Sequence, residues 1–139
     1  MNKRTPPERS IFALIGAAHA IETRLEAALG EVGLSGAKYG VLEQLALAGE
    51  PLSLSELAGR LSCVRSNMTQ LVDRLEADGF VRRVDDPNDR RSVLAELTQL
   101  GSERQIAGEA GVASVQEAFG ASLTAADRTA LNRLLARIG

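Results

Sequence analysis

Two short stretches hold the side chains whose hydrogen-bonding chemistry is densest. In the first, Arg65-Ser66-Asn67-Met68-Thr69-Gln70, polar groups surround one apolar position, and Arg74 follows one helical turn later. In the second, Asp86-Pro87-Asn88-Asp89-Arg90-Arg91-Ser92, two arginines follow an aspartate in a run of turn formers. A Gln or Asn carboxamide sets a donor beside an acceptor, which matches the exposed edge of adenine. Arg sets two parallel donors, which match guanine or a phosphate. Ser and Thr hydroxyls suit phosphate oxygens. None of this is catalytic equipment. The chain has no phosphate-cradling Gly-rich loop, no metal-ligand spacing and no nucleophile paired with a base, so an enzyme is not expected.

Both stretches need a scaffold, and residues 51–98 supply one. Ser53-x-x-Glu56 has the form of a capping box, the Ser taking an amide ahead and the Glu reaching back. It opens a short helix with Leu54, Leu57, Ala58 and Leu61 on one side. A turn at 62–64 leads to a second helix with Met68, Leu71, Val72 and Leu75 inward. Gly79 ends it, because glycine accepts the left-handed conformation that closes a helix. Strands are expected at 80–84 and 91–97, with Val93, Ala95 and Leu97 on one buried face. The six residues from Asp85 to Arg90 would join them, with Arg90 and Arg91 at the hairpin tip. Helix, turn, helix and hairpin in that order make a winged helix-turn-helix, which lays its second helix in a DNA major groove.

The flanks read as helices. Residues 1–8 carry two prolines and no periodicity and are expected to form a loose arm. Ile11, Leu14, Ile15, Ala18, Ile21, Leu25 and Leu29 mark a helix over 9–29, ended by Gly30 and Gly33. Ser35 is positioned to cap a helix through Ala48 that buries Tyr39, Val41, Leu42 and Leu45. Thr98 is positioned to cap a helix over 99–119 with a stripe of Ile106, Val112, Val115 and Phe119. Gly101, Gly108 and Gly111 each weaken that helix by about 1 kcal/mol against alanine. Thr124-x-x-Asp127 opens a last helix bearing Leu131, Leu134, Leu135 and Ile138. The expected class is mainly α with a small β-hairpin wing. Residues 35–98 would bind DNA, and residues 9–34 and 99–139 would form a helical dimerisation region. The first and last helices are expected to pack together and onto a second chain.

Composition sets bounds on this reading. A chain of 139 residues, 45% hydrophobic, can bury a core as one domain. A single Cys excludes an internal disulfide framework and fits a reducing compartment. No run of about 20 apolar residues crosses a bilayer and no signal peptide is evident, so a cytoplasmic location is expected. The net charge of -2 and pI near 5.5 count against nucleic-acid binding. Charge placement matters more than its total, however. Every cation between Pro51 and Thr98 is an arginine: Arg60, Arg65, Arg74, Arg82, Arg83, Arg90 and Arg91.

These residues carry a resemblance. The segment 86–92, followed by Leu97-Thr98 and Gly101, is similar to the wing signature of the MarR family of bacterial transcription regulators. The run 67–76 with Gly79 resembles that family's recognition helix. The resemblance implies a cytoplasmic homodimer whose two winged modules read a pseudo-palindromic operator in double-stranded DNA, with successive major grooves about 34 Å apart. It also implies a repressor released by a small aromatic or phenolic effector, or by an oxidant, that alters the spacing of the modules. No cofactor is implied. The DNA contacts would be Arg65, Ser66, Asn67, Thr69, Gln70, Arg74, Arg90 and Arg91, with Asp89 orienting one wing arginine through a carboxylate–guanidinium pair. One wing arginine would enter the minor groove, and which one stays open. There are two departures from the family pattern. Val64 stands where many members have a capping Ser or Thr, and Gln70 stands where Arg is common, which suits adenine over guanine.

Other readings remain beside this one. The polar side of the second helix and the arginine-rich turn can be ordinary solvated surface, and Arg74 either faces the groove margin or pairs with Asp78. Cys63 is either a small buried hydrophobe or the sensor of an oxidant-responsive regulator. His19 either lines an effector cleft or is structural, and one His with one Cys makes no metal site. A winged helix that binds protein instead of DNA is the alternative from another class.

Overall fold

The computed structural model describes residues 8–62 and 65–139, with the backbone alone for Arg65 and Ser66. The expected arm at 1–8 therefore lies outside the described residues but for its last position. In chain order the elements are α1 (Ser10–Gly30), α2 (Gly36–Ala48), β1 (Leu52–Ser53), α3 (Leu54–Arg60), α4 (Arg65–Ala77), β2 (Val81–Asp86), β3 (Asp89–Leu97), α5 (Gln99–Ala121) and α6 (Ala125–Ile138). The core lies between α2, α3, α4 and the sheet, where Val41, Leu42, Leu57, Met68, Val72, Leu75 and Ala95 are wholly buried.

Helix ends follow the local chemistry. Ser35, Ser53, Thr98 and Thr124 each accept an amide of the helix that they precede. At the end of α4, Gly79 takes φ 81°, the Phe80 amide reaches the Leu75 carbonyl and the Gly79 amide reaches Glu76. That is a Schellman motif, and Gly33 closes α1 in the same way, with amides from Leu34 to Leu29 and from Gly33 to Gly30. At Thr124 both arms of the capping box form. At Ser53 one arm differs from expectation. The Ser53 hydroxyl accepts from the Glu56 amide and itself donates to the Glu56 carboxylate at 3.2 Å. Ser53 is also the end of β1, in register with Leu94 of β3, so a strand occupies the place of the free helix entry that the motif presumes.

The sheet also differs from the expected pair of strands. It has three strands in the order β1-β3-β2, with Leu52 opposite Ala95. A strand of two residues is too short to show an alternating pattern. The wing is longer and its turn tighter than the six-residue loop expected. Pairing continues to Asp86 opposite Asp89, leaving Pro87 and Asn88 as the tip. The Asp86 carboxylate accepts the Asn88 amide at 2.9 Å and so stabilises that turn from within. Val93 is 40% exposed, because the hairpin has by then left the core that buries Ala95.

Within one chain the main neighbour of the first helix is α5. α1 runs along α5 and touches α2, while α6 contributes no buried residue. Much of both outer helices is left uncovered: Ile11 is 71% exposed and Ile138 is 64% exposed. Ile106, part of the apolar stripe expected on α5, is exposed as well, and Gln105 is its buried neighbour.

Candidate nucleic-acid interface

α4 is anchored by one face and open on the other. Met68, Val72 and Leu75 are fully buried, and Leu71 packs partly against the core. Between them Asn67, Thr69, Gln70 and Arg74 are exposed, at the spacing that one side of a helix gives. Arg65 and Ser66 form the start of the same helix. The chain approaches α4 through Ser62, which adopts φ 51°, a left-handed conformation rare outside glycine. The readings placed on Cys63 and Val64 lie outside the described residues. Arg74 has no ion pair with Asp78, whose carboxylate is instead held by Lys38 Nζ at 2.7 Å.

The wing arginines are not at the tip. Asp85 faces Val93 while Asp86 faces Asp89, so Arg90, Arg91 and Ser92 form an irregularity on β3 that β2 does not match. Extra residues on one strand re-aim the local side chains. Arg90 and Arg91 are both exposed. Asp89 supports this turn differently from expectation: its carboxylate accepts the Arg91 amide at 2.9 Å, and no guanidinium pair with it occurs among the described residues. A short Asp side chain reaches an amide two residues ahead more readily than a guanidinium does.

Electrostatics divides the arginines. Arg82 pairs with Glu96 across the hairpin. Arg83, which has no signature of its own in the sequence, bridges to α4. Its Nη1 donates to Glu76 at 2.8 Å, its amide donates to the same carboxylate at 3.1 Å, and its Nη2 donates to Asp73. The hydrogen bond to Asp73, joined by that to Glu76, holds the guanidinium pKa above its ordinary value. The only hint in the sequence is that carboxylates and arginines alternate near the helix end. Arg60, Arg74, Arg90 and Arg91 are exposed and carry no ion pair among the described residues. An acidic whole thus keeps unneutralised cations on the winged module.

A cavity of about 500 Å³ opens where α1, α2 and α5 meet, lined in part by Glu22, Leu25, Leu29, Tyr39 and Val112. His19 is exposed and lies outside that lining. Tyr39 is buried, and its phenol is pushed up to about 12, by burial first and then by the hydrogen bond and charge of Glu43 and the charge of Glu109. On the neighbouring face Arg104 of α5 donates to the Val32 carbonyl at 2.7 Å and covers the Phe80 ring. The joint between α5 and the winged module is therefore made of specific contacts. Among the described residues there is no cluster of His, Cys, Asp or Glu fit to hold a metal, and no helix is long and apolar enough to cross a membrane.

A two-helix unit with a three-stranded wing and an open polar helix face defines a winged helix-turn-helix protein. Residues 34–93 match the MarR family. The HTH-type transcriptional regulator YkoM of Bacillus subtilis is 42% identical over 73 residues, covering 52% of this chain and 47% of YkoM. PrsX of Escherichia coli, also an HTH-type transcriptional regulator, is 39% identical over 74 residues, covering 52% of this chain and 45% of PrsX. This chain thus spans about half the length of the curated relatives it matches. Among solved structures, a cysteine-to-serine variant of MarR from E. coli complexed with operator DNA is 26% identical, with a TM-score of 0.82 over 96% of this chain and 99% of that one. The region 34–93 thus resembles the MarR family, and the fold resembles that of a MarR protein along nearly the whole chain.

Proposed function

We propose that this chain is a sequence-specific double-stranded DNA-binding transcription regulator, a cytoplasmic homodimer that represses until a small aromatic or phenolic effector binds. The observation that carries the reading is α4. Its inner face is locked in the core while Asn67, Thr69 and Gln70 stand exposed, on a fold that matches a MarR protein bound to its operator. Arg65, Ser66 and Arg74 extend this surface along the helix, and Arg90 and Arg91 extend it onto the wing. Residues 35–98 are the DNA-binding part in this reading. Residues 9–34 and 99–139 are the dimerisation part, supported by the uncovered apolar side chains of α1 and α6. The cavity at the α1–α2–α5 joint supports the effector part of the reading, since a ligand there that favours one spacing of the two modules would lower DNA affinity.

Fluorescence anisotropy on promoter fragments, with salt titration and a non-specific duplex, tests the proposal. The expected result is selective binding that weakens steeply with salt. Arg90→Ala/Arg91→Ala should lower affinity and reduce the salt slope by about 1 for each phosphate left without its arginine. Binding no better than the non-specific duplex, and indifferent to the double substitution, would turn the reading to a protein-interaction module.

A further inference from the structure

We infer that Arg83 is a positioning residue for DNA recognition, which sets the pitch of the wing against the recognition helix without touching DNA. The inference rests on the DNA-binding reading above. Arg83 is near the base of β2, opposite Ala95, where the hairpin leaves the core. From that point three bonds run back to α4: two from the guanidinium, to Asp73 and Glu76, and one from the Arg83 amide to Glu76. Both acceptors belong to the half of α4 that follows the exposed Asn67, Thr69 and Gln70. One side chain therefore joins the two elements that must enter adjacent grooves together.

The geometry makes this joint a pivot. From Arg83 to Asp86 the strand extends about 10 Å, at roughly 3.3 Å per residue. A tilt of about 10° at the base would move the wing by about 2 Å, enough to break a hydrogen bond at the far end. The guanidinium suits the role because its flat fork engages two carboxylates at once, whereas a lysine ammonium is a point charge on a flexible stem. The side chains are partly open to water, with Arg83 at 28% and Asp73 at 58% exposure. The expected contribution is accordingly to geometry more than to global stability.

Neutralisation is the competing account: Arg83 would merely cancel two carboxylates that repel DNA. A double-mutant cycle separates the two. Operator affinity is measured at low salt for wild type, Arg83→Gln, Arg83→Lys, Arg90→Ala/Arg91→Ala and the combination of Arg83→Gln with the two alanines, with thermal melts for each. Positioning predicts that Arg83→Gln binds about tenfold more weakly at nearly unchanged Tm. It further predicts that this loss vanishes once the wing arginines are gone, since a wing with nothing to place has no pitch to lose. Arg83→Lys should recover only part of the affinity. Asp73→Asn/Glu76→Gln/Arg83→Gln removes the charge and the clamp together and should stay weak. Wild-type affinity in that triple variant would show neutralisation alone and overturn the inference, as would full affinity in a folded Arg83→Gln or a loss that persists unchanged without the wing arginines. Failure of the wild type to select any operator is a different result, which sinks the DNA-binding reading itself.

Discussion

Gly101 of α5 lies against the backbone of Phe80 so closely that a β-carbon on it would sit 1.8 Å from the Phe80 carbonyl oxygen. The contact is to main chain, so no rotamer change can relieve it. Phe80 is the residue that closes α4, and its carbonyl also accepts the Thr98 amide. The start of α5 is thereby pressed onto the junction of α4 and the wing.

Gly101→Ala should therefore destabilise the protein by about 2–3 kcal/mol, the usual cost of overpacking, despite a helix-propensity gain of about 1 kcal/mol. Gly108→Ala should also destabilise, since its β-carbon would meet the Tyr39 ring at 2.7 Å. Gly111→Ala should do the opposite and stabilise by roughly 0.5–1 kcal/mol, because its nearest neighbour is the Ala28 β-carbon at an ordinary 3.6 Å. Urea denaturation of the three variants decides this, and equal effects at all three would contradict the packing.

Tyr39 is the only tyrosine and the chain has no tryptophan, so its ionisation can be followed alone by ultraviolet absorbance. The folded phenol titrates near 12, against 10 as the ordinary value. Above pH 10 the unfolded chain loses this proton while the folded chain keeps it, so stability must fall as pH rises through that window and level off beyond the folded value. Tyr39→Phe should abolish this component of the alkaline loss. A midpoint near 10 in the folded protein would contradict it.

Gln70 stands exposed on α4. A carboxamide pairs with adenine and a guanidinium with guanine, and each good pair discriminates by about 1–3 kcal/mol. Gln70→Arg should move the preferred base at one position of each half-site from adenine to guanine and leave other positions alone. Selection from randomised operators by both proteins would reveal the change. An unaltered preference would mean that Gln70 does not read a base.

Most of the helix caps and one-sided helix faces follow from the sequence alone. Ser35, Thr98 and Thr124 cap the helices that follow them, and Gly79 takes the left-handed turn, because each involves partners within a few residues. The buried set of α2 (Tyr39, Val41, Leu42 and Leu45) follows from helical periodicity. The exposed edge of α4 was legible for the same reason: it is what remains once Met68, Val72 and Leu75 are turned inward.

The tertiary structure decided what depends on partners far along the chain. Leu52 becomes a strand only because Ala95 lies beside it, and Asp85 and Asp86 shift register only against their partners in β3. Arg83 is one more arginine until folding sets it between Asp73 and Glu76. Gly101 and Gly111 have the same intrinsic helix propensity, yet one meets a carbonyl and the other a methyl group. Capping and periodicity are encoded over a turn or two of helix, whereas register, ion pairing and close approach belong to pairs of elements and exist only once those elements are packed.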